Sequence, residues 1–196
     1  MEHISAYHLT YEKGTRIYEM LQSHRISEVD EESSLRFFSA LMDTLGAAGY
    51  EHYEISNFCK PGMYSRHNTA YWKGIPYLGC GPSAHSYNGV SRQWNVASLD
   101  TYIKGISAGT PVFEIEELDL YTRYNDFVIT RIRTEWGMPL SKLRDEFGEK
   151  LYDYCLRMAA PHLKQGTLEL VNDILKLTRK GIFISDGIMS DMLWVE

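Results

Sequence analysis

One stretch decides how this chain is interpreted: Tyr53-Glu-Ile-Ser-Asn-Phe-Cys-Lys-Pro-Gly-Met-Tyr-Ser-Arg-His-Asn-Thr-Ala-Tyr-Trp72. It opens on a β-type run, turns at a Pro-Gly pair, and ends on a polar cluster and two aromatic residues. A histidine beside Tyr71 and Trp72 can ligate a metal, donate a proton or stack on a flat aromatic ligand. The alternative is a packed loop in which His67 and Asn68 only cap backbone groups.

A glycine-rich segment follows within a few residues: Gly79-Cys-Gly-Pro-Ser-Ala-His-Ser86. Glycine adopts positive φ without strain and lets the backbone approach a ligand closely. The two stretches together predict one site region between residues 53 and 86.

The composition limits which class of protein this chain can be. The 196 residues are 44% hydrophobic and 23% charged, which suits a globular protein of one large or two small domains. A net charge of −6 argues against nucleic-acid binding through bulk electrostatics. No apolar run approaches the roughly 18 residues of a membrane span, and no signal peptide opens the chain. Cys59, Cys80 and Cys155 are widely spaced, which favours a reducing compartment, so we expect a cytoplasmic protein.

The first third predicts a strand, a helix and a strand. Residues 4–10 alternate apolar and polar side chains, residues 30–45 carry apolar residues at helical spacing before Gly49, and residues 49–55 return as a strand. This order favours a parallel sheet. Because the chain starts inside a strand, we expect it to be part of a longer protein. The first strand would be an unpaired edge, covered by a local strand or by a homodimer contact.

The remainder predicts a hairpin at Asn88-Gly89, a short helix over residues 99–106 and a domain boundary near Val112. The expected domains are therefore residues 1–112 and 113–196. The second domain would contain a helix over 116–135, helices over 140–147 and 151–165, a hairpin over 168–177 and a helix over 179–193. Pro161 is expected to kink or end its helix early, and Thr178 to cap the last one.

This order of elements is winged-helix-like, and it raises a hypothesis of nucleic-acid binding. The helix over residues 151–165 would be the recognition helix, but it carries Asp153 as well as Arg157, His162 and Lys164, so it is nearly neutral. Nucleic-acid binding is therefore a minor alternative.

Several motifs together resemble one family, in that family's order. They are residues 4–15, residues 53–58, His67-Asn68-x-x-Tyr71-Trp72, residues 77–86 and Leu177-Thr-Arg-Lys-Gly181. They resemble the radical-SAM group related to oxygen-independent coproporphyrinogen III oxidase, and within it the heme-chaperone branch of HemW-like proteins. The resemblance implies an α+β fold. It would comprise the last strands and helix of a radical-SAM partial TIM-like barrel, followed by a winged-helix-like helical domain at the C-terminus.

The resemblance also implies cofactors. Members of the family begin with a barrel whose Cys-x-x-x-Cys-x-x-Cys motif holds a 4Fe–4S cluster and uses S-adenosylmethionine. The three cysteines of this chain do not form that motif. We therefore expect cluster and S-adenosylmethionine chemistry in the whole protein, and no catalysis by these residues alone.

The resemblance assigns two groups of site residues. The His-Asn-x-x-Tyr-Trp motif is associated with heme binding, so His67 is the candidate ligand to heme iron, with Asn68, Tyr71 and Trp72 beside it. The S-adenosylmethionine pocket corresponds to Thr10, Gly79, Gly81 and His85. For His85, a core histidine with a satisfied ring is the alternative.

Two functional hypotheses follow from the resemblance. In the first, the whole protein binds heme and delivers it to an acceptor protein. In the second, it oxidatively decarboxylates the propionate side chains of coproporphyrinogen III. The His-Asn-x-x-Tyr-Trp motif favours the first hypothesis, because it belongs to the chaperone branch.

Overall fold

The computed structural model describes residues 1–195. Contacts divide the chain into two compact units, Met1–Tyr64 and Ser65–Glu196. The predicted boundary near Val112 falls inside the second unit and stays a prediction. Helices and small three-stranded sheets make up both units, so the α+β class is confirmed.

The first unit is built on an antiparallel sheet. Its elements are, in chain order, β1 (His3–Ser5), α1 (Arg16–Gln22), α2 (Glu31–Ala47), β2 (Glu51–Glu54) and β3 (Asn57–Cys59). β3 lies between β1 and β2 and is antiparallel to both. The predicted parallel sheet is wrong, because a tight turn at residues 55–56 folds β3 back onto β2 and leaves its other edge for β1. The first strand also stops at Ser5 instead of residue 10.

α2 forms as its sequence predicts. The Asp30 carboxylate accepts a hydrogen bond from Ser33 N at 2.8 Å, and Gly49 follows the helix with a φ of 75°. Phe38 and Met42 are buried on the inner face. The ring of His52 stacks on Phe58 with centroids 4.2 Å apart, and Phe38 meets His52 edge-on. These aromatic contacts join α2 to the sheet.

The second unit begins with a helix and a second sheet. Its first elements are α3 (Arg66–Trp72), β4 (His85–Tyr87), β5 (Ser91–Asn95), α4 (Leu99–Ser107) and β6 (Phe113–Glu117). The hairpin at Asn88-Gly89 and the helix predicted over 99–106 are confirmed. β6 pairs with β5 over residues 113–117, so the helix predicted to start at residue 116 does not begin there. The helix begins instead at Leu120, where the Asp119 side chain accepts from Thr122 N at 2.7 Å.

The rest of the second unit is helical with a third sheet. Its elements are α5 (Leu120–Ile132), β7 (Met138–Pro139), α6 (Leu140–Gln165), β8 (Leu168–Val171), β9 (Ile174–Leu177), α7 (Arg179–Ile182) and α8 (Ser185–Met192). α6 is broken at Gly148, as predicted, where φ is 79° and ψ is 173°. An early end at Pro161 was wrong: the helix continues to Gln165, and Gly166 ends it in the left-handed conformation. The helix predicted over 179–193 is divided into α7 and α8.

The core of this unit lies between α5, α6 and α8. Fully buried side chains there include Tyr124, Val128, Leu143, Cys155 and Ile188. Burial raises the pKa of the Cys155 thiol to about 11, which keeps it protonated at neutral pH. None of the helices in residues 1–195 combines the length and the apolar character needed to cross a bilayer.

Candidate functional site

The His-Asn-x-x-Tyr-Trp motif forms α3. Ser65 Oγ accepts a hydrogen bond from Asn68 N at 3.3 Å, so Ser65 caps the helix. The alternative in which His67 and Asn68 cap a packed loop is therefore wrong, since both residues lie inside the helix. The helical spacing pairs His67 with Tyr71 and Asn68 with Trp72, each four residues apart.

His67 and Tyr71 form an exposed hydrogen-bonded pair. Tyr71 Oη and His67 Nε2 are 3.0 Å apart, and the two rings meet edge-on with centroids 4.8 Å apart. His67 is exposed, whereas Tyr71 is half-buried. Among residues 1–195, His67 Nδ1 has no hydrogen-bond partner. An imidazole that is oriented through one nitrogen and accessible through the other fits the chemistry of an iron ligand.

Trp72 is packed more closely than the motif suggests. The Arg133 guanidinium lies 4.3 Å from the centroid of the Trp72 ring. The indole Nε1 of Trp72 is buried and has no hydrogen-bond partner within the described residues. A buried N–H without an acceptor is costly, and it is a donor that a bound ligand can satisfy. Asn68, on the same side of the helix, is half-buried.

The backbone of Gly79 and Gly81 is held by side chains from three elements, β4, β5 and α4. Gly79 N donates to Ser86 Oγ at 3.0 Å, and Gly81 N donates to Tyr102 Oη at 3.0 Å. Asn95 Nδ2 donates to the carbonyls of Gly79 and Gly81 at 3.3 and 3.0 Å. Neither Asn95 nor Tyr102 carries a sequence signal for this role, because only the fold brings them to the loop.

Gly79 is required by close packing. A Cβ at this position would lie 2.1 Å from the carbonyl oxygen of His85. His85 itself is exposed at the start of β4, with its ring 5.9 Å from that of Trp94. The alternative of a buried core histidine is therefore wrong.

Thr10 lies in the first unit, whereas Gly79, Gly81 and His85 lie in the second. Thr10 is exposed, and its neighbours in sequence line a surface cavity of about 990 Å³. The residues that line this cavity are Ala6, Tyr7, His8, Leu9, Tyr11, Glu28, Val29, Asp30, Glu31, Ser34, Phe37, Phe38 and Leu41. Its volume is typical of small-molecule sites, and aromatic and aliphatic side chains form most of its wall.

A second cavity, of about 270 Å³, lies in the second unit and was not anticipated from the sequence. It adjoins the C-terminal end of α3, and its wall includes the motif residue Tyr71. Its other ionisable lining residues are Lys73, Tyr77, Tyr87, Arg92, Arg123, Asp126, Arg131, Lys142 and Glu146. Burial raises the pKa values of Tyr77 and Tyr87, so both stay neutral donors. One sequence signal pointed to this cavity: Arg123, Phe127 and Arg131 are spaced four residues apart, which places them on one face of α5. The apolar stripe of that helix obscures this spacing.

Within residues 1–195, no three His, Cys, Asp or Glu side chains cluster closely enough to hold a metal ion. Cys59 and Cys155 are buried, Cys80 is exposed, and all three are free thiols.

Comparisons with known proteins agree with one another. Residues 118–184 match the family model described as the HemN C-terminal domain. The chain is 32% identical over 194 residues to the heme chaperone HemW of Mycobacterium tuberculosis, covering 98% of this chain and 48% of that protein. It is 28% identical over 193 residues to the heme chaperone HemW of Bacillus subtilis, covering 98% and 51%.

The fold matches a solved structure. It is that of coproporphyrinogen III oxidase (HemN) from Escherichia coli, described as a radical SAM enzyme. The TM-score is 0.70 at 16% identity, over 97% of this chain and 48% of the other. The chain thus spans about half the length of the curated relatives it matches. Along nearly its whole length the chain is thus similar to the heme chaperones HemW, and its residues 118–184 match the HemN C-terminal domain.

Proposed function

We propose that the chain takes part in heme trafficking, with α3 as the heme-binding element and heme as its cargo. The observation that carries this proposal is the exposed His67 imidazole, which Tyr71 Oη contacts through Nε2 at 3.0 Å while Nδ1 makes no hydrogen bond within residues 1–195. His67 would ligate the iron, while Tyr71, Asn68 and Trp72 would flank the macrocycle. Two relatives along 98% of the chain carry the name heme chaperone, which supports the same role.

We infer that the whole protein works with S-adenosylmethionine and a 4Fe–4S cluster. The HemN structure with the same fold is described as a radical SAM enzyme. In the first unit, the proposed S-adenosylmethionine contact is Thr10, beside the cavity of that unit. In the second unit, the proposed contacts are Gly79, Gly81 and His85. The loop with Gly79 and Gly81 would make its contacts through a backbone that Asn95 fixes.

The finer architecture is likewise proposed. β1, α2 and β2 would form the end of a radical-SAM partial barrel, within a domain of residues 1–112. Residues 113–196 would form a winged-helix-like domain from α5, α6, the β8–β9 hairpin and the closing helices. The match to the HemN C-terminal domain, which begins at residue 118, supports a boundary near Val112.

Partners and location stay predictions. An acceptor protein for heme is proposed on the resemblance. A homodimer is proposed on the edge strand at the start of the chain, which pairs with β3 on one side. A cytoplasmic location is proposed on three free thiols. Nucleic-acid binding stays the minor alternative.

A second candidate function is oxidative decarboxylation of coproporphyrinogen III. The observation that favours it is the fold shared with HemN. The full-length protein, supplied with S-adenosylmethionine and reductant, would convert coproporphyrinogen III into protoporphyrinogen if this function were correct. Stable heme binding without formation of that product would leave heme trafficking as the proposed function.

A hemin titration followed by absorption spectroscopy tests the primary proposal. The wild type should shift the Soret band, and His67→Ala should abolish the shift. His24→Asn is a matched control, because His24 is also exposed and Asn tolerates its φ of 55°. An unchanged shift in His67→Ala, or none in a folded wild type, would contradict the proposal.

A further inference from the structure

The cavity beside α3 holds more positive charge than its own carboxylates balance. Arg92 forms an ion pair with Asp126, and Lys142 Nζ lies 3.4 Å from Glu146 Oε1. Lys73, Arg123 and Arg131 also line the cavity. Among residues 1–195 these three cations make no salt bridge. This concentration of positive charge occurs in a chain whose net charge is −6, so it is a local feature of the cavity.

The two arginines are held in partly buried positions with unused hydrogen-bonding capacity. Arg131 Nη2 donates to the backbone carbonyl of Lys73 at 3.1 Å, which ties α5 to the end of α3. The Nε atoms of Arg123 and Arg131 are both buried and have no hydrogen-bond partner within the described residues. Burying a charged group without a counter-ion is unfavourable. A guanidinium in this state favours a carboxylate, which it can bind through two hydrogen bonds.

Tyr71 connects this cavity with the proposed heme ligand. Its hydroxyl contacts His67 Nε2, and its side chain lines the cavity, where its ring meets Tyr77 with centroids 4.7 Å apart. The cavity therefore begins one side chain away from the imidazole. Its volume of about 270 Å³ lies at the lower end of small-molecule sites, which suits carboxylate-bearing side chains and not a whole macrocycle.

We propose that this cavity binds the propionate carboxylates of a tetrapyrrole, with Arg123 and Arg131 as the principal hydrogen-bond donors. The inference rests on the proposed function, since it places the macrocycle over α3 and its acidic side chains beside the helix end. Tyr77 and Tyr87 supply further neutral hydroxyl groups in the cavity wall. Lys73, at the end of α3, adds charge near the cavity mouth.

The test compares a dicarboxylate with its ester. The probes are iron-free protoporphyrin IX and its dimethyl ester, both solubilised in the same neutral detergent, with binding followed by tryptophan quenching. Iron-free porphyrin does not need an axial ligand, so this assay is independent of His67. The double variant Arg123→Gln/Arg131→Gln should weaken diacid binding at least about tenfold and leave ester binding unchanged. Arg157→Gln, an exposed arginine of α6, should change neither.

Two further measurements keep the test decisive. If the double variant does not fold, Arg131→Lys replaces it in the test. This variant retains the positive charge but loses the planar guanidinium, so it should weaken diacid binding by a smaller factor. In the wild type alone, rising salt should weaken binding of the diacid more than that of the ester.

The outcomes separate this inference from the proposed function. Loss of the hemin Soret shift in His67→Ala, with no selective loss of the diacid in the arginine variants, would overturn the cavity assignment alone. Selective loss of the diacid in the arginine variants, with hemin unaffected by His67→Ala, would support the cavity and overturn iron ligation. Equal weakening of diacid and ester, or no binding of the diacid by the wild type, would also overturn the inference.

Discussion

Gly79→Ala tests whether the glycine-rich loop is built as the structure indicates. The new Cβ would lie 2.1 Å from the His85 carbonyl oxygen, 2.7 Å from its carbon and 2.9 Å from the His85 nitrogen. Ordinary contact begins near 3.4 Å, so the two backbone segments must separate by roughly 1.3 Å. All three contacts are to backbone atoms, so no flexible side chain can move aside.

That separation also strains two hydrogen bonds, from Gly79 N to Ser86 Oγ and from Asn95 Nδ2 to the Gly79 carbonyl. Overpacking alone costs about 1–3 kcal/mol. Each lost hydrogen bond adds roughly 0.5–1.5 kcal/mol. We therefore expect Gly79→Ala to lower the free energy of unfolding by at least about 2 kcal/mol.

Urea unfolding followed by tryptophan fluorescence measures this change as a lower midpoint at an unchanged m-value. Gly187→Ala in α8 is the matched control, because its Cβ would meet open space. Alanine there should stabilise the helix by roughly 0.5–1 kcal/mol. A Gly79→Ala protein as stable as the wild type would refute the close approach of Gly79 to His85.

Three other predictions follow from the fold and the proposed function. Leu143→Ala should cost about 2–5 kcal/mol in urea unfolding, because Leu143 is fully buried; a loss below 1 kcal/mol, on the order of a surface change, would contradict the core assignment. Hydrogen bonds from Thr122 lower the pKa of Asp119, so this carboxylate stabilises the fold above its ordinary pKa and loses that effect as pH falls through the lowered value. Asp119→Asn should therefore make the free energy of unfolding fall less steeply with decreasing pH. An unchanged pH dependence would contradict a stabilising role of the Asp119 carboxylate. Given iron, sulfide, reductant and S-adenosylmethionine, the chain alone should release no 5′-deoxyadenosine, and substantial turnover would disprove this.

The sequence predicts the elements whose signals are local. α2 carries an N-terminal cap at Asp30, an apolar stripe and a terminating Gly49, and each acts within the helix itself. The Asn88-Gly89 and Asn172-Asp173 turns define their hairpins in the same way. The parallel sheet was wrong because strand pairing is not local. β3 has only three residues, too few for a periodic signal, yet it determines the order of the first sheet.

The candidate site likewise contains residues that a local motif reveals and residues that only the fold brings together. His67, Asn68, Tyr71 and Trp72 were found as a motif, although their helix was not, since α3 has only seven residues. The cavity residues Arg92, Arg123 and Arg131 come from β5 and α5 and meet beside α3 only in the folded unit. The spacing of Arg123 and Arg131 places both on one face of α5, but no spacing in the chain encodes their meeting with Arg92 beside α3, so the cavity could not be predicted.

Chemical rescue of His67→Gly tests the heme site most directly. The variant removes the imidazole while leaving space for a free one, and heme that elutes with the protein on size exclusion is measured with and without added imidazole. We expect the wild type to retain heme, His67→Gly to lose it, and imidazole to restore retention. The double variant His67→Gly/Tyr71→Phe serves to show whether the Tyr71 hydroxyl assists the rescue. Full retention by His67→Gly without imidazole would contradict ligation by His67, as would a variant that imidazole does not restore.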